Sequence, residues 1–187
     1  MEQEKKKLVT ILVPAYNEQE VLHLLYDRLE KLMNENTNYD FEVLLVNDGS
    51  KDKTFDIMQE LREKDKRFCY LNLSRNFGKE TAMIAGLDYA KGDCVIFIDA
   101  DLQDPPELIP ELIKYWEEGY DDVYARRKSR KGESYFKLFT VDIVAVNTYL
   151  LDTYPNVSLN SILYHPVALF LPIIFTLSFS NTQPKML

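Results

Sequence analysis

The sequence predicts an α/β fold, a mostly parallel sheet flanked by helices, and three observations carry that prediction. Apolar, β-branched runs alternate with helical patterns from Leu8 to about Ala125. The runs are apolar at consecutive positions, the mark of strands covered on both faces. Polar residues gather directly after three of the runs, at 14–18, 47–50 and 99–104. In an open α/β sheet that edge, outside the carboxyl ends of the strands, is where ligands bind.

The elements follow in order. Residues 8–13 form the first strand, which Pro14 is expected to end. Over 18–33, Val21, Leu22, Leu25, Leu29 and Leu32 recur at helical spacing with charges between them. Asn17 is the expected N-cap of that helix, with Glu18 in its first turn. The apolar run 41–46 closes on Asn47-Asp48-Gly49-Ser50, a turn and cap sequence. A helix is expected over 54–62, a strand over 68–73, and a helix over 81–90 whose Ala82, Ala85, Gly86 and Ala90 permit close packing on the sheet. Residues 94–98 form another buried strand. Pro105-Pro106 suits the entry of a helix over 107–118, and 123–125 reads as a short fifth strand.

With 187 residues the chain is long enough for one domain with a real core. Hydrophobic residues at 46% and charged residues at 28% are the balance of a globular protein rather than a disordered one. A net charge of -8 argues against nucleic acid as a partner, because a phosphate backbone demands a basic face. Cys69 and Cys94 have no metal-ligand spacing and fall in strands, so both are expected buried and reduced, as on a cytosolic face. The charged residues 1–7 hold no apolar segment of signal-peptide type. Composition changes near Ser134. All six glycines lie at or before Gly132, and beyond Ser134 the charged residues are Lys137, Asp142, Asp152 and Lys185. The apolar stretch 162–179 is broken by His165, Pro166 and Pro172, and a spanning helix needs about 20 apolar residues. A kinked membrane segment, an apolar helix against the domain and unstructured sequence all remain open for it.

The sharpest chemical signal is Asp99-Ala100-Asp101-Leu102-Gln103. Carboxylates at alternate positions of an extended segment face one side and can grip a hard divalent ion. Magnesium usually keeps one or two protein carboxylates and completes its shell with water and substrate phosphates, so this pattern suits a metal–diphosphate site, with Gln103 adding a neutral oxygen. Acids that merely cap a turn would leave unexplained their place in line with two other polar strand ends. In Pro14-Ala15-Tyr16-Asn17-Glu18, Tyr16 can lie flat on a base or ribose and Glu18 can accept from ribose hydroxyls; an ordinary helix entry is compatible with both. Asp48 could accept from a base N–H, although alone it reads more readily as a turn residue. Arg75 and Lys79 could face a diphosphate, with a solvated first-turn lysine equally open for Lys79; the spacing is not that of a P-loop. The basic run 126–131 reads as a solvated loop or, favoured by its place after a strand, as a flap that meets an anionic acceptor or a phospholipid surface.

Val13-Pro14-Ala15-Tyr16-Asn17-Glu18, Asn47-Asp48-Gly49-Ser50, Arg75-Asn76-Phe77-Gly78-Lys79-Glu80 and Asp99-Ala100-Asp101-Leu102-Gln103-Asp104-Pro105-Pro106-Glu107 occur in this order. Together they resemble glycosyltransferase family 2, in its branch of dolichyl-phosphate mannosyltransferases and bactoprenol glucosyltransferases, over about residues 7–134. The resemblance implies a GT-A fold, a nucleotide-sugar donor, and Mg2+ or Mn2+ held by Asp99, Asp101 and Gln103, with Asp99 and Asp101 as the catalytic pair. It puts Pro14, Tyr16, Glu18 and Asp48 around the nucleoside and Arg126 near the phosphates, and Lys79 and Ala100 count with them as substrate-binding. Relatives often carry Asp where this chain has Asn47. The implied reaction is inverting transfer of a hexose, from UDP-glucose before GDP-mannose, to a polyprenyl phosphate at the cytoplasmic face of a bacterial membrane. Such a protein would be peripheral or weakly anchored and would serve the cell envelope. An anionic acceptor needs no strong base, which fits two histidines, His23 and His165, neither at a strand end.

The chain departs from the branch after the basic run. The expected Gly-Asp-Phe-Arg-like acceptor stretch is not recognisable, and Tyr135-Phe136-Lys137-Leu138-Phe139 resembles a segment that relatives carry much later. An internal deletion or truncated frame is therefore expected, with a nucleotide-sugar domain over 1–134 and a divergent apolar tail over 135–187. Two alternatives are a non-catalytic remnant that binds nucleotide sugar, and a sugar-nucleotidyltransferase. The latter would want a glycine-rich phosphate loop near the N-terminus, which 14–18 is not.

Overall fold

The computed structural model describes residues 5–120, 122–126, 141–147 and 185–186. Strands β1 (Leu8–Ala15), β2 (Asp40–Asn47), β3 (Phe68–Asn72) and β4 (Cys94–Phe97) alternate with helices α1 (Leu22–Glu35), α2 (Thr54–Lys64) and α3 (Lys79–Leu87). A single 3-10 turn, Pro106–Leu108, leads into α4 (Ile109–Glu117), followed by β5 (Asp122–Arg126), β6 (Val141–Asn147) and the two-residue β7 (Lys185–Met186). The sheet order is β3-β2-β1-β4-β6-β5-β7. The first four strands are mutually parallel, β6 runs antiparallel to β4 and β5, and β5 therefore points the same way as β4. β6 lies in the stretch that the sequence left without an element. The basic residues 127–131 and the apolar stretch 162–179 lie outside the described residues, among which no helix is long and apolar enough to cross a membrane.

Right-handed crossovers explain how the helices are shared out. The chain steps from β1 outward to β2 and β3, which sends α1 and α2 to one face, and then returns past β1 to β4, which sends α3 to the other. Val9, Ile11, Val13, Val43 and Leu45 accordingly join the core with α1 and α2, whereas Leu12, Leu44, Val46, Val95 and Phe97 pack with Ala82 and Leu87 of α3; α4 packs on the face of α1 and α2. Gly86 sets the depth of that second contact. A Cβ there would come within 2.6 Å of Leu12 Cδ1 and 3.0 Å of Val46 Cγ2, so the small-residue helix does lie close on the sheet.

Two local expectations are corrected. Pro14 does not end β1, which continues to Ala15, paired with Val46 and Asn47 of β2. Pairing with β4 stops at Leu12 and Phe97, and the even positions of β1 address β4, as the Ile98 N–H bond to the Leu12 carbonyl shows. The missing N–H of Pro14 thus faces the side where the ladder has already ended. Cys69 is only partly buried, whereas Cys94 is fully buried, and burial pushes its thiol up to about 12.

At the end of the sheet away from the strand-end loops, buried Thr10 donates to Glu42 Oε1 at 2.7 Å and accepts the Gly92 N–H at 2.9 Å. Thr10→Val keeps the shape and removes both bonds. It is expected to cost about 2 kcal/mol of stability, read as a lower urea midpoint, while leaving ligand binding at the opposite edge unchanged.

Candidate functional site

The strand order runs outward from β1 to β2 and β3 and then resumes on the other side of β1 with β4, which makes the carboxyl ends of β1 and β4 the topological switch point, where an α/β sheet opens a crevice. Four loops meet there, and hydrogen bonds stitch each to the next. The loop after β1 is joined to the loop after β2 by five bonds. The Asn17 N–H donates to Ser50 Oγ (3.0 Å), Glu18 N–H to Thr54 Oγ1 (2.7 Å), Gln19 N–H to Asp52 Oδ2 (3.3 Å), Lys51 N–H to Asn17 Oδ1 (2.8 Å) and Lys53 N–H to Gln19 Oε1 (3.1 Å). Asn17 thus bridges two loops in a left-handed conformation (φ 58°), rather than capping α1, which starts at Leu22.

The second loop holds the third through Asp48. Its carboxylate is 3% exposed and accepts the Phe77 N–H at 2.7 Å and the Gly78 N–H at 2.9 Å. Gly49 beside it adopts φ 65°, and a Cβ there would lie 2.3 Å from the Arg75 carbonyl carbon, so the two backbones touch. The third loop reaches the fourth through Lys79 at the start of α3, whose Nζ lies 2.6 Å from Asp99 Oδ1 and 2.7 Å from Oδ2. In the fourth loop Ala100 is buried in the core between half-buried Asp99 and exposed Asp101. Leu102 takes a left-handed conformation (φ 59°) that costs a residue with a Cβ about 1 kcal/mol, while its side chain packs on the core. The chain turns there, and the Gln103 N–H donates to Asp101 Oδ1 at 3.0 Å. Arg28 of α1 grips Glu107 with two bonds and holds the far end of this loop.

Glu18 closes the circle electrostatically. Its carboxyl is pushed above the ordinary 4.5, first by burial and then by the charges of Asp101, Asp99 and Asp52. A raised carboxyl pKa makes the ionised group a cost to the native state. That cost is full above the raised value and gone below 4.5. Glu18→Gln is therefore expected to raise the melting temperature at neutral pH, with the gain fading as pH falls toward 4.5; melts across that range check it.

The same crowding of acids is the observation against which a divalent cation is tested. The charges of Asp101 and Asp99 act against an ionised Glu18, and a lysine ammonium already sits against both oxygens of Asp99. Among the described residues no three histidine, cysteine or acidic side chains form a ready-made metal cluster. A magnesium-like ion asks for less than that, one or two carboxylates with water and phosphate oxygens. Asp99 and Asp101 with the Gln103 amide fit that requirement.

Of the other residues singled out from sequence, Pro14 lies on β1 and Tyr16, 39% exposed, borders the crevice. The Ala100 side chain faces the core, so any ligand contact it makes is through its backbone. Arg126 ends β5 at the same sheet edge as Asp99. His23 is exposed on α1. Sequence reasoning missed the stitching roles of Ser50, Asp52, Thr54 and Asn72. Thr54 and Asp52 carried a signal, an Asp-x-Thr at a helix entry, and Asn72 carried none until its bond to Asn47 was seen (2.6 Å).

A model of the family described as glycosyl transferase family 2 matches residues 10–167. The chain is 52% identical over 128 residues to the uncharacterized glycosyltransferase YkcC of Bacillus subtilis, covering 68% of this chain and 39% of that protein. It is 42% identical over 134 residues to the bactoprenol glucosyl transferase of Shigella phage SfV, covering 72% of this chain and 43% of that one. The chain thus spans about two fifths of the length of these relatives. Among solved structures it superposes on the mannosyltransferase PcManGT of Pyrobaculum calidifontis in complex with GDP-Man and Mn2+, with a TM-score of 0.64 and 20% identity over 80% of this chain and 47% of that one. S. aureus TarS 1-349 in complex with UDP-GlcNAc gives a TM-score of 0.62 and 23% identity over 79% and 47%. These structural likenesses establish the GT-A fold.

Proposed function

The chain belongs to glycosyltransferase family 2, and from that premise we propose that it carries the donor-binding part of an inverting hexosyltransferase acting on a polyprenyl phosphate. UDP-glucose is the first donor to consider and GDP-mannose the second. The observation that carries this reading is the ring of four stitched strand-end loops, with Lys79 on Asp99 and three acids crowded together. The named bactoprenol glucosyl transferases among the relatives support the acceptor class.

Each residue then has a task. Tyr16 offers its ring to the base or ribose, Glu18 accepts from the ribose hydroxyls, and Pro14 and the Ala100 backbone shape the floor. Asp48 serves the nucleoside end while fixing the loop that leads to Lys79. The acceptor phosphate oxygen attacks the anomeric carbon, and the bond from that carbon to the nucleoside diphosphate breaks on the opposite face, the diphosphate keeping the electron pair. The attacking oxygen is already anionic, so no proton has to be removed. Charge developing on the departing diphosphate is met by Lys79 and by Arg126 at the end of β5. Mg2+ or Mn2+ held by Asp99, Asp101 and Gln103 would supply further positive charge to the same oxygens. A lipid-linked acceptor would draw the chain to the cytoplasmic face of a membrane, and the basic run beginning at Arg126 suits that surface.

The test is transfer itself. Radiolabelled UDP-glucose or GDP-mannose is incubated with undecaprenyl phosphate and the chain, and label entering the organic phase is counted. Labelled lipid supports the reading. Release of free sugar without labelled lipid favours a chain that binds donor and lacks an acceptor site.

A further inference from the structure

Lys79 stands where a cation would have to go. Its Nζ approaches both oxygens of Asp99, 2.6 and 2.7 Å away, so a metal ion taking Asp99 meets an ammonium already seated there. Two cations cannot share that carboxylate at such a distance without strong repulsion. The pair is also built so that one member can leave. The backbone just before Lys79 is fixed, because the Gly78 N–H is held by buried Asp48 and Gly78 itself adopts φ 97°. The Lys79 side chain is 52% exposed on a flexible four-carbon stem, so it can swing while its root stays still. Asp99 is more enclosed, at 27%, and follows the short buried strand β4, so it stays in place.

Resting on the glycosyltransferase reading, we propose that Lys79 and the divalent cation exchange on Asp99, so that metal and the donor's diphosphate load together. The diphosphate draws the ammonium off Asp99 and onto its own oxygens, which frees the carboxylate for the metal. Metal alone must displace Lys79 without compensation and binds weakly. Lys79 thus acts twice with opposite signs: it opposes metal in the absence of diphosphate and supports diphosphate in the presence of metal. A lysine that served only as a phosphate contact, or only as a helix-start residue, would give one sign or neither.

The experiment measures Mn2+ binding by electron paramagnetic resonance, and UDP and GDP binding by calorimetry, on the whole chain and on Lys79→Met. Lys31→Met on α1, where the side chain is 76% exposed, serves as the charge control. Lys79→Met is expected to bind Mn2+ alone about fivefold more tightly than the wild type, and the nucleoside diphosphate in the presence of Mn2+ about fivefold more weakly. Lys31→Met is expected to leave both affinities unchanged. Lys79→Arg, which keeps the charge and can fork across both oxygens, is expected to retain the weak binding of metal alone and guards against a fold defect in the methionine variant. Unaltered or weaker Mn2+ binding by folded Lys79→Met, with diphosphate binding intact in the wild type, overturns the exchange alone. A folded wild type that binds neither Mn2+ nor either diphosphate overturns the glycosyltransferase reading itself.

Discussion

Replacing Gly49 with alanine is expected to cost about 3 kcal/mol or more and to loosen the site without touching any group that meets a ligand. The backbone there is left-handed (φ 65°), which costs a residue with a Cβ about 1–2 kcal/mol before any contact is considered. The new methyl would then lie 2.3 Å from the Arg75 carbonyl carbon and 2.5 Å from the Asn76 nitrogen. Both are backbone atoms, so no side chain can rotate out of the way and the two loops must separate. Separation breaks the bonds from Phe77 and Gly78 to Asp48, and with them the placement of Lys79. A lower urea midpoint, together with weaker nucleoside diphosphate binding by the fraction that stays folded, is the expected pair of results. A stable variant with wild-type binding would mean that the ring of loops is not what organises the crevice.

Asp101→Ala is expected to do the reverse, sparing the fold and removing the chemistry. The side chain is exposed and accepts the Gln103 N–H in its own loop, so the melting temperature should barely move. Transfer is expected to fall about 1,000-fold, the scale on which losing charge stabilisation at a leaving group acts. The loss should appear in kcat as well as KM, because the charge on the diphosphate grows as the bond to the sugar breaks. Comparing single-turnover rates of the variant and the wild type at saturating donor checks this.

Much of the fold was legible because it is written locally. The strands and helices from Leu8 to Glu117 follow from apolar runs and helical spacing, whereas the switch point depends on strand order, which no local pattern states. The polar strand ends were legible for the same reason. What was not legible depends on contacts across the chain. Asp48 reads as a turn residue because its partners are 29 and 30 positions away, and a solvated Lys79 stays as open as a phosphate-facing one because Asp99 is 20 positions on. Pro14 was taken for a strand end because its missing donor matters only if β4 is still beside it, which register alone decides. The sequence leaves β6 without an element, and nothing near Val141–Asn147 says that it enters the sheet between β4 and β5.

The proposed function requires that the crevice bind a nucleotide sugar with the help of a divalent cation held at Asp99 and Asp101. Calorimetric titration of UDP-glucose and of GDP-mannose into the purified chain, with and without Mn2+, tests it most directly. One donor is expected to bind, only when the metal is present, and Asp101→Ala is expected to weaken that binding. A demonstrably folded chain that binds neither donor with or without Mn2+ would contradict it.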